Sequence, residues 1–390
     1  MTPARILVVD DEAGMLRAVE RVLGGTYHVV TSRSSAYAVA LAASFDPVLA
    51  ILDVRMPELD GFELMARLHA QKSDLDIILM TGSVDDLDEK LIRAIRGEAF
   101  YFIQKPFDRE VLRTLVERCL ELRWRRNERR RHLQRLETEL AEARTFQQGL
   151  LPARESVVGP LAVCCRYSPS SELGGDLYDY DRGASGQAAV LIADVSGHGA
   201  SAAMLTATVK SAFRSSSVDG YDPLAVVRCV ANSLAAFGHE RFVTLFAAVV
   251  PSDAMELRYV NAGHPPALLW SVSRAPLMLT STGPLVSPAF PQSTWNVESV
   301  SIAPGDRLLL YTDGVSDVLV DYSEAGEDRI RAAIELHPSG GAALLDALVY
   351  DAQQHPMFEI PPDDLTLMTA QVLRPTFLSS RTSIDLPRGQ

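Results

Sequence analysis

The sequence predicts an α/β protein built from two folded domains and a long connecting helix. Residues 1–120 alternate short apolar segments with segments of helical spacing, which is typical of a doubly wound parallel sheet. No Pro or Gly occurs from 108 to 148, so one helical connector is expected over 108–150. Residues 151–375 mix strand-like and helical segments without regular alternation, which favours a sheet-rich α+β domain. The 390 residues, 47% of them hydrophobic, can fill a core in each domain.

Polar side chains follow the predicted strands of the first domain. Those strands are Ile6–Val9, His28–Thr31, Val48–Leu52, Ile77–Met80 and Phe100–Ile103. The polar residues at their carboxyl ends are Asp10, Asp11, Asp53, Thr81 and Lys105. The carboxyl ends of parallel strands meet at one edge of the sheet, so these side chains are expected to face one crevice.

These residue types suit transfer of a phosphoryl group to a carboxylate. Asp10 and Asp11 can hold Mg²⁺ against Asp53, whose charge would otherwise repel the incoming phosphoryl group. Asp53 is then the nucleophile and forms an acyl phosphate. Lys105 offers a charged donor to the phosphoryl oxygens, and Thr81 offers a hydroxyl.

The motifs around these residues resemble those of response-regulator receiver domains. They read VVDDE at the first strand, DVRMPELDG around Asp53, MTGS with Thr81 and FIQKPF with Lys105. The resemblance implies a flavodoxin-like fold and phosphorylation of Asp53 by a sensor histidine kinase or a phosphotransfer protein. It also implies that Thr81 and Phe102 reorient when the phosphoryl group arrives.

The connecting helix carries a heptad pattern that predicts a parallel two-stranded coiled coil, and therefore a homodimer. The seam positions are Leu112, Leu115, Cys119, Leu122, Arg126, Arg129, Leu133, Leu136, Leu140, Ala143, Gln147 and Leu150. The alternative is a single long helix packed on its own domains. Arg126 and Arg129 interrupt the seam, which indicates a solvated basic face or a weak segment of the coiled coil. Pro152 ends the helix.

Four acidic segments mark the second domain. They are Gly174–Asp176, Asp194–Gly199, Tyr311–Gly314 and Asp363–Thr366. The expected strands include Ala188–Ala193, Leu257–Val260, Ala267–Trp270, Arg307–Tyr311 and Leu365–Val372, and the expected helices are Ala200–Arg214 and Pro223–Phe237. Carboxylates gathered at strand ends from distant parts of a chain are what a hard divalent metal requires.

A pair of ions held by these carboxylates can polarise a phosphoryl oxygen and make hydroxide available near neutral pH. Asp194 would bridge the two ions, and Val195 could contribute its backbone carbonyl. Gly197 and Gly199 would let the backbone approach a phosphate closely. The predicted chemistry is hydrolysis of a phosphoester without a protein nucleophile.

The second domain resembles the metal-dependent PPM phosphatases, specifically their sporulation stage II E-type branch. The shared motifs are TFQQGLLP (145–152), ELGGDLYDY (172–180), ADVSGHG (193–199), NAGHP (261–265), LLLYTDGV (308–315) and DDLTLM (363–368). The resemblance implies a β-sandwich flanked by helices and dephosphorylation of phosphoserine or phosphothreonine on an anti-anti-sigma (STAS-type) protein. The implied Mn²⁺ or Mg²⁺ site consists of Asp176, Asp194, Val195 (carbonyl), Asp313 and Asp363, with Asp364 behind the ligands.

Other residues near these motifs are assigned mainly structural roles. His198 could shape a loop or donate a proton, but oxygen ligands suit Mn²⁺ and Mg²⁺ better than an imidazole. Asn261 and His264 are interpreted as turn residues. No arginine upstream of the metal motifs is assigned to phosphate binding.

Charge and composition exclude several other classes of protein. The net charge of −13 argues against a nucleic-acid partner, and no recognition helix for DNA is visible. The four cysteines show no metal-binding spacing and fit a reduced cytoplasm. No signal peptide or membrane span is recognised, so a cytoplasmic protein is expected. The remaining alternative is a non-catalytic adaptor that sequesters a sigma-factor regulator, and residues 376–390 are expected to form a disordered tail.

Overall fold

The structure is a computed structural model that describes residues 3–82, 101–197, 199–320, 326–354 and 363–374. The chain divides into two compact units, Met1–Leu136 and Glu137–Gln390. Within the described ranges, no helix has both the length and the apolar composition needed to cross a bilayer. The tail predicted over 376–390 lies outside the described residues.

The first unit contains a five-stranded parallel sheet. Its strands are β1 (Arg5–Val9), β2 (His28–Ser32), β3 (Leu49–Asp53), β4 (Asp76–Thr81) and β5 (Tyr101–Gln104). They lie in the order β2-β1-β3-β4-β5, and all neighbouring pairs are parallel. The first three helices are α1 (Ala13–Leu23), α2 (Ser35–Phe45) and α3 (Gly61–Gln71). The predicted doubly wound fold is confirmed.

Helices cover both faces of this sheet, which explains why β3 and β4 are buried at every position. On one face, α1 contributes Leu16, Val19 and Leu23 to the core. On the other face, α2 and α3 contribute residues that include Ala38 and Leu64. Side chains cap two of these helices, because Ser34 accepts a bond at the start of α2 and Asp60 does so at the start of α3.

The fourth helix, α4 (Arg109–Leu150), is one continuous element of 42 residues. A helix of this size is about 63 Å long at 1.5 Å per residue. Its first turns complete the core of the first unit, where Leu112, Val116 and Cys119 are fully buried. The predicted helix over 108–150 is therefore confirmed as an element.

The heptad prediction requires a correction in the first half of α4. Leu112 and Cys119 face the core of their own unit, so they cannot face a second chain. Farther along, Arg126 donates to Asp76 at 3.1 Å, and Arg123 bonds to the same carboxylate. Because Asp76 is 5% exposed, these bonds fix α4 against the start of β4. The arginine in the predicted seam thus serves an intrachain contact.

The second unit contains two antiparallel sheets. Their strands are β6 (Glu155–Val158), β7 (Leu161–Ser168), β8 (Asp176–Arg182), β9 (Ala188–Val195), β10 (Val243–Val250), β11 (Glu256–Ala262), β12 (Ala267–Ser271), β13 (Arg274–Leu279), β14 (Glu298–Ser301), β15 (Arg307–Tyr311) and β16 (Leu365–Val372). One sheet has the order β14-β11-β10-β9-β8, and the other has the order β13-β12-β15-β16-β7-β6. Alternate side chains of each strand can therefore face the opposite sheet or an outer layer of helices.

Three cores hold the second unit together as four layers. The central core packs side chains such as Ile192 and Phe246 of one sheet against Leu310 and Met368 of the other. The outer helices are α5 (Ala200–Ser215), α6 (Pro223–Leu234), α7 (Asp313–Val318), α8 (Gly326–Leu336) and α9 (Gly341–Gln354). Helices α5 and α6 cover the first sheet, and α7 to α9 cover the second. This is the predicted β-sandwich flanked by helices, although α6 ends three residues before its predicted end.

Candidate phosphoacceptor and metal sites

The structure brings the candidate phosphoacceptor residues together at the carboxyl edge of the first sheet. Asp10, Asp11 and Asp53 each place a carboxylate oxygen within 4.8 Å of the other two. Lys105 Nζ donates to Asp10 Oδ2 at 2.7 Å and to Asp53 Oδ1 at 2.8 Å. Thr81 ends β4 and is buried beside them. Three carboxylate oxygens around one point offer what Mg²⁺ prefers.

Burial sets the electrostatics of this site. It raises the pKa of Asp53, and the charges of Asp10 and Asp11 add to that effect, although Lys105 opposes it. Burial acts to lower the pKa of Lys105, but its bonds to Asp10 and Asp53 outweigh this and raise it. Lys105 is therefore a permanent cation, and crowding of the acids favours binding of a second cation.

The four acidic segments of the second unit meet at one end of the sandwich. Asp176 begins β8, and Asp194 is its cross-strand partner on β9. On the facing sheet, β15 ends two residues before Asp313, and its antiparallel neighbour β16 begins two residues after Asp363. Two carboxylates from each sheet thus lie at the same end.

Two threonines link the sheets at this point and orient Asp176. Thr312 Oγ1 donates to Asp176 Oδ2 at 2.8 Å, and the hydroxyl of Thr366 donates to the same oxygen. Both threonines are completely buried. One carboxylate oxygen of Asp176 is therefore held by protein donors, which fixes the direction of the other. The acidic motifs alone did not indicate this role of the threonines beside them.

The acids of this site raise each other's pKa. Burial raises the pKa of Asp194 to about 7, with further contributions from the charges of Asp313 and Asp363. Burial also raises the pKa of Asp313 and, more strongly, that of Asp176. Among the described residues, no Lys or Arg forms an ion pair with Asp176, Asp194 or Asp313. Asp176 is buried and Asp194 is half-buried, and crowded carboxylates that lack a cationic side chain fit a divalent metal.

Asp364 is engaged by protein donors through both carboxylate oxygens. Its Oδ1 accepts from the backbone N–H of Ser170 at 2.7 Å and from the Ser170 hydroxyl at 3.0 Å. Its Oδ2 accepts from the N–H groups of Gly175 at 2.6 Å and Asp176 at 3.3 Å. Asp364 therefore holds the segment that carries Asp176.

Glycines allow this close packing. A Cβ on Gly174 would lie 2.4 Å from Asp364 Oδ2, and one on Gly175 would lie 2.7 Å from the Val195 carbonyl oxygen. Gly197 has a φ of 92°, a value that L side chains rarely adopt. The turn after Val195 therefore depends on glycine.

Gln147 was assigned to the coiled-coil seam, but its side chain is 7% exposed and contacts the metal-site segment. Its Nε2 donates to the Gly174 carbonyl at 2.7 Å, and its Oε1 accepts from the Gly174 N–H at 3.1 Å. Nε2 also lies 3.4 Å from Thr206 Oγ1 on α5. The heptad pattern could not distinguish this hydrogen bonding within the chain from a coiled-coil contact with a second chain, because both use the same helix face.

The turn of residues 261–265 is structural in its contacts. Asn261 Oδ1 accepts from the His264 N–H at 2.8 Å, and His264 Nδ1 pairs with Thr244 Oγ1 at 2.8 Å. Both Asn261 and His264 are buried. These contacts agree with their interpretation as turn residues, whereas His198 lies outside the described residues.

Comparison with known proteins assigns both units to families. Residues 6–117 match the response regulator receiver domain family, and residues 184–373 match the family described as Stage II sporulation protein E (SpoIIE). Protein IcfG of Synechocystis sp. is 28% identical over 259 residues, covering 59% of this chain and 41% of that protein. Phosphoserine phosphatase RsbP of Bacillus subtilis is 33% identical over 185 residues, covering 46% of this chain and 45% of that protein. The chain thus spans less than half the length of either relative.

A solved structure supports the fold of the second unit. The SiaA-PP2C domain of Pseudomonas aeruginosa superposes with a TM-score of 0.54 over 62% of this chain and 97% of that domain. The two sequences are 19% identical, so this likeness establishes the fold alone. The chain is a response regulator receiver domain joined by a long helix to a SpoIIE-family domain of the PP2C (PPM) phosphatase fold.

Proposed function

We propose that this protein is a two-component response regulator whose output is metal-dependent dephosphorylation of phosphoserine or phosphothreonine on a protein. The observation that carries the proposal is the placement of Asp176, Asp194, Asp313 and Asp363 at the same end of the sandwich. Burial raises the pKa of Asp194 to about 7, and this cost is relieved when a cation binds. The match to a relative named as a phosphoserine phosphatase supports the same chemistry.

Each residue of the cluster has a defined part in this proposal. Asp194 pairs with Asp176 across two strands and interacts electrostatically with Asp313 and Asp363, so it would hold both of two Mn²⁺ or Mg²⁺ ions. Asp176 and the Val195 carbonyl would complete the binding of one ion, and Asp313 and Asp363 that of the other. Bound ions would supply Lewis acidity and a hydroxide nucleophile at neutral pH. Asp194 and Asp313 would orient that nucleophile toward the phosphorus atom.

The substrate proposed is a phosphorylated anti-anti-sigma protein of the STAS type. This follows from the resemblance to the SpoIIE family and is supported by the family match over residues 184–373. A non-catalytic adaptor would not need four acids at one end of the sandwich, whereas here all four are present and Asp176 is held by Thr312 and Thr366. The catalytic interpretation is therefore preferred over the adaptor.

Control is assigned to phosphorylation of Asp53 in the receiver domain (1–120) by a sensor histidine kinase or a phosphotransfer protein, with Mg²⁺ bound by the receiver acids. The end of the connector (108–150) contacts the metal-site segment of the phosphatase domain (151–375) through Gln147 and Gly174. Displacement of that glutamine would release Gly174, two residues before Asp176. Phosphorylation would thus shift the population of two connector arrangements, one with an assembled metal site.

We further propose that the protein is a homodimer through α4. In the part of α4 beyond the first core, Leu133, Leu136 and Leu140 are 48%, 41% and 42% exposed. They are spaced three and four residues apart, which places them on one face of the helix. These leucines belong to the part of the predicted seam that does not pack in the core of the first unit.

The catalytic proposal is tested by replacing Asp194. Asp194→Asn removes a charge that both ions require, so Mn²⁺-dependent hydrolysis of p-nitrophenyl phosphate should fall by at least roughly 100-fold. Asp351→Asn, on the exposed side of α9, is the matched control and should keep the wild-type rate. Hydrolysis that survives in Asp194→Asn, or that persists in EDTA, would contradict the proposal.

A further inference from the structure

A groove of about 510 Å³ opens beside the candidate metal site, on the surface of the second unit. One wall is the helix α6, which contributes Arg228 and Asn232. The opposite wall is the segment before β14, which contributes Phe290 and Trp295. His239 lies at the groove and faces the Pro288 carbonyl at 3.3 Å. The proposed catalytic chemistry makes no use of these residues.

The strand register gives the distance from this groove to the metal site. Val243 on β10 pairs with Val195 on β9, and on its other side it bridges to Val286. Neighbouring strands lie about 4.8 Å apart, so Val286 lies about 10 Å from Val195. The next residue, Ser287, lines the groove and donates to the Arg241 carbonyl at 3.0 Å. An extended peptide spans about 10 Å with three residues.

Arg241 lies between the groove and the metal site. Its guanidinium donates to the Ser196 carbonyl at 3.3 Å and to the Ser201 hydroxyl at 3.2 Å. Ser196 follows the candidate ligand Val195 directly. Among the described residues, no carboxylate forms an ion pair with Arg241 or Arg228. Two arginines without acidic partners thus mark this face of a chain whose net charge is −13.

Apolar side chains are exposed along the same face. Phe290 is 59% exposed, and Phe237 and Phe242 are 39% and 37% exposed. Phe237 and Phe242 flank the turn that carries His239 and Arg241. Aromatic groups beside arginines that have no carboxylate partner in the described part of the chain are typical of surfaces that bind a partner containing both apolar and acidic side chains.

We propose that this groove binds the stretch of the phosphoprotein substrate that lies about three to five residues from the phosphoserine, and that it selects acidic and large apolar side chains there. The inference rests on the proposed phosphatase function and specifies its substrate. Charge complementarity with Arg228 and Arg241 favours acidic side chains, and Phe290 favours apolar ones. A small aryl phosphate reaches only the metal site and does not use the groove.

The test uses two fluorescein-labelled peptides that carry a non-hydrolysable phosphonate analogue of phosphoserine. One has Glu and Leu three to five residues from the phosphonate, and the other has Gly and Ser there. Anisotropy with the full chain and Mn²⁺ should show roughly tenfold tighter binding of the Glu/Leu peptide. In Arg228→Glu the two peptides should bind within about twofold of each other, because the charge that attracts Glu is reversed.

Two further variants separate the groove from general effects. Phe290→Ala, at an exposed position, should also reduce the preference. Arg182→Glu is the matched charge reversal at the end of β8 opposite Asp176, and it should keep the wild-type preference. Equal binding of both peptides by the wild type, or an unchanged preference in both Arg228→Glu and Phe290→Ala, would overturn the inference.

Turnover of p-nitrophenyl phosphate distinguishes this inference from the proposed function. Mn²⁺-dependent turnover without any peptide preference leaves the phosphatase proposal standing and refutes the groove. Peptide preference without turnover supports the groove and refutes catalysis.

Discussion

The carboxylate of Asp364 accepts hydrogen bonds from the Ser170 hydroxyl and from three backbone N–H groups, those of Ser170, Gly175 and Asp176. Its neighbour Asp363 is the expected ligand. Adjacent aspartates in one motif thus have different tasks, since one can bind an ion while the other fixes the segment that carries a second ligand. Buried carboxylates with several donors are sensitive to replacement, because an amide cannot accept at both of its polar atoms.

Asp364→Asn is expected to weaken Mn²⁺ binding by roughly 10- to 100-fold, the range seen when a residue supporting a metal ligand is lost. The amide NH₂ would face the donors of Ser170 or of Gly175 and displace Asp176. Isothermal titration with Mn²⁺ measures the effect. Asp346→Asn is the control, because Asp346 is 61% exposed and only pairs with Arg166 on the surface. Wild-type affinity in Asp364→Asn would show that the segment needs no such support.

His264 gives the second unit a defined pH dependence of stability. Burial lowers the pKa of His264 from 6.5 to about 3. Between these two pH values the unfolded chain binds a proton that the folded chain does not. The contribution of neutral His264 to the unfolding free energy is therefore fully present above a pH of about 6.5, and it is lost as the pH falls toward the folded-state pKa.

Between pH 7.5 and 5.5, the wild type should lose about 1.4 kcal/mol of unfolding free energy from this one residue. His264→Gln has no imidazole to titrate, so its unfolding free energy should fall by about 1.4 kcal/mol less than that of the wild type over the same pH interval. Urea unfolding followed by tryptophan fluorescence at both pH values measures the difference. Parallel losses in the two proteins would mean that His264 titrates normally in the folded state.

Among the elements, helix α4 makes different contacts along its length. Leu112 and Cys119 belong to the core of the first unit, Arg126 bonds to Asp76, and Gln147 bonds to Gly174. The heptad pattern predicted the helix and its end correctly. It could not assign the partners, because core packing and a coiled coil both require apolar residues at intervals of three and four.

Leu136→Glu tests the dimer assigned to the exposed part of α4. A charge at the centre of an apolar seam should shift the protein toward monomer, measured by size-exclusion chromatography with multi-angle light scattering. Val111→Glu is the control, since Val111 is 53% exposed on the same helix but lies outside the seam. A monomeric wild type, or equal dimerisation of Leu136→Glu and wild type, would contradict the assignment.

The bounds of two buried strands could be predicted from the sequence. Arg307–Tyr311 and Leu365–Val372 were predicted with their observed bounds, because buried strands bordered by turn residues have clear limits. The acids at their ends were found for the same reason. Contacts such as Thr312 to Asp176 were not foreseen, since they join residues that are 136 positions apart and depend on how the two sheets pack.

At the scale of the whole molecule, two different uses of aspartate occur in one chain. In the first unit, Asp53 lies within 4.8 Å of two other acids and bonds to Lys105, which suits a group that is itself phosphorylated. In the second unit, Asp176 and Asp194 have no lysine or arginine partner among the described residues, which suits permanent ion binding. We propose that phosphorylation at the first site controls catalysis at the second.

The most direct test measures Mn²⁺-dependent phosphate release from p-nitrophenyl phosphate with and without beryllofluoride, which mimics phosphorylated Asp53. We expect beryllofluoride to change the wild-type rate by at least about fivefold, the lower end of usual coupling between two sites. We expect no change in Asp53→Ala, which lacks the carboxylate that binds the mimic. A wild-type rate that is the same in both states, or an equal response in Asp53→Ala, would contradict the claim.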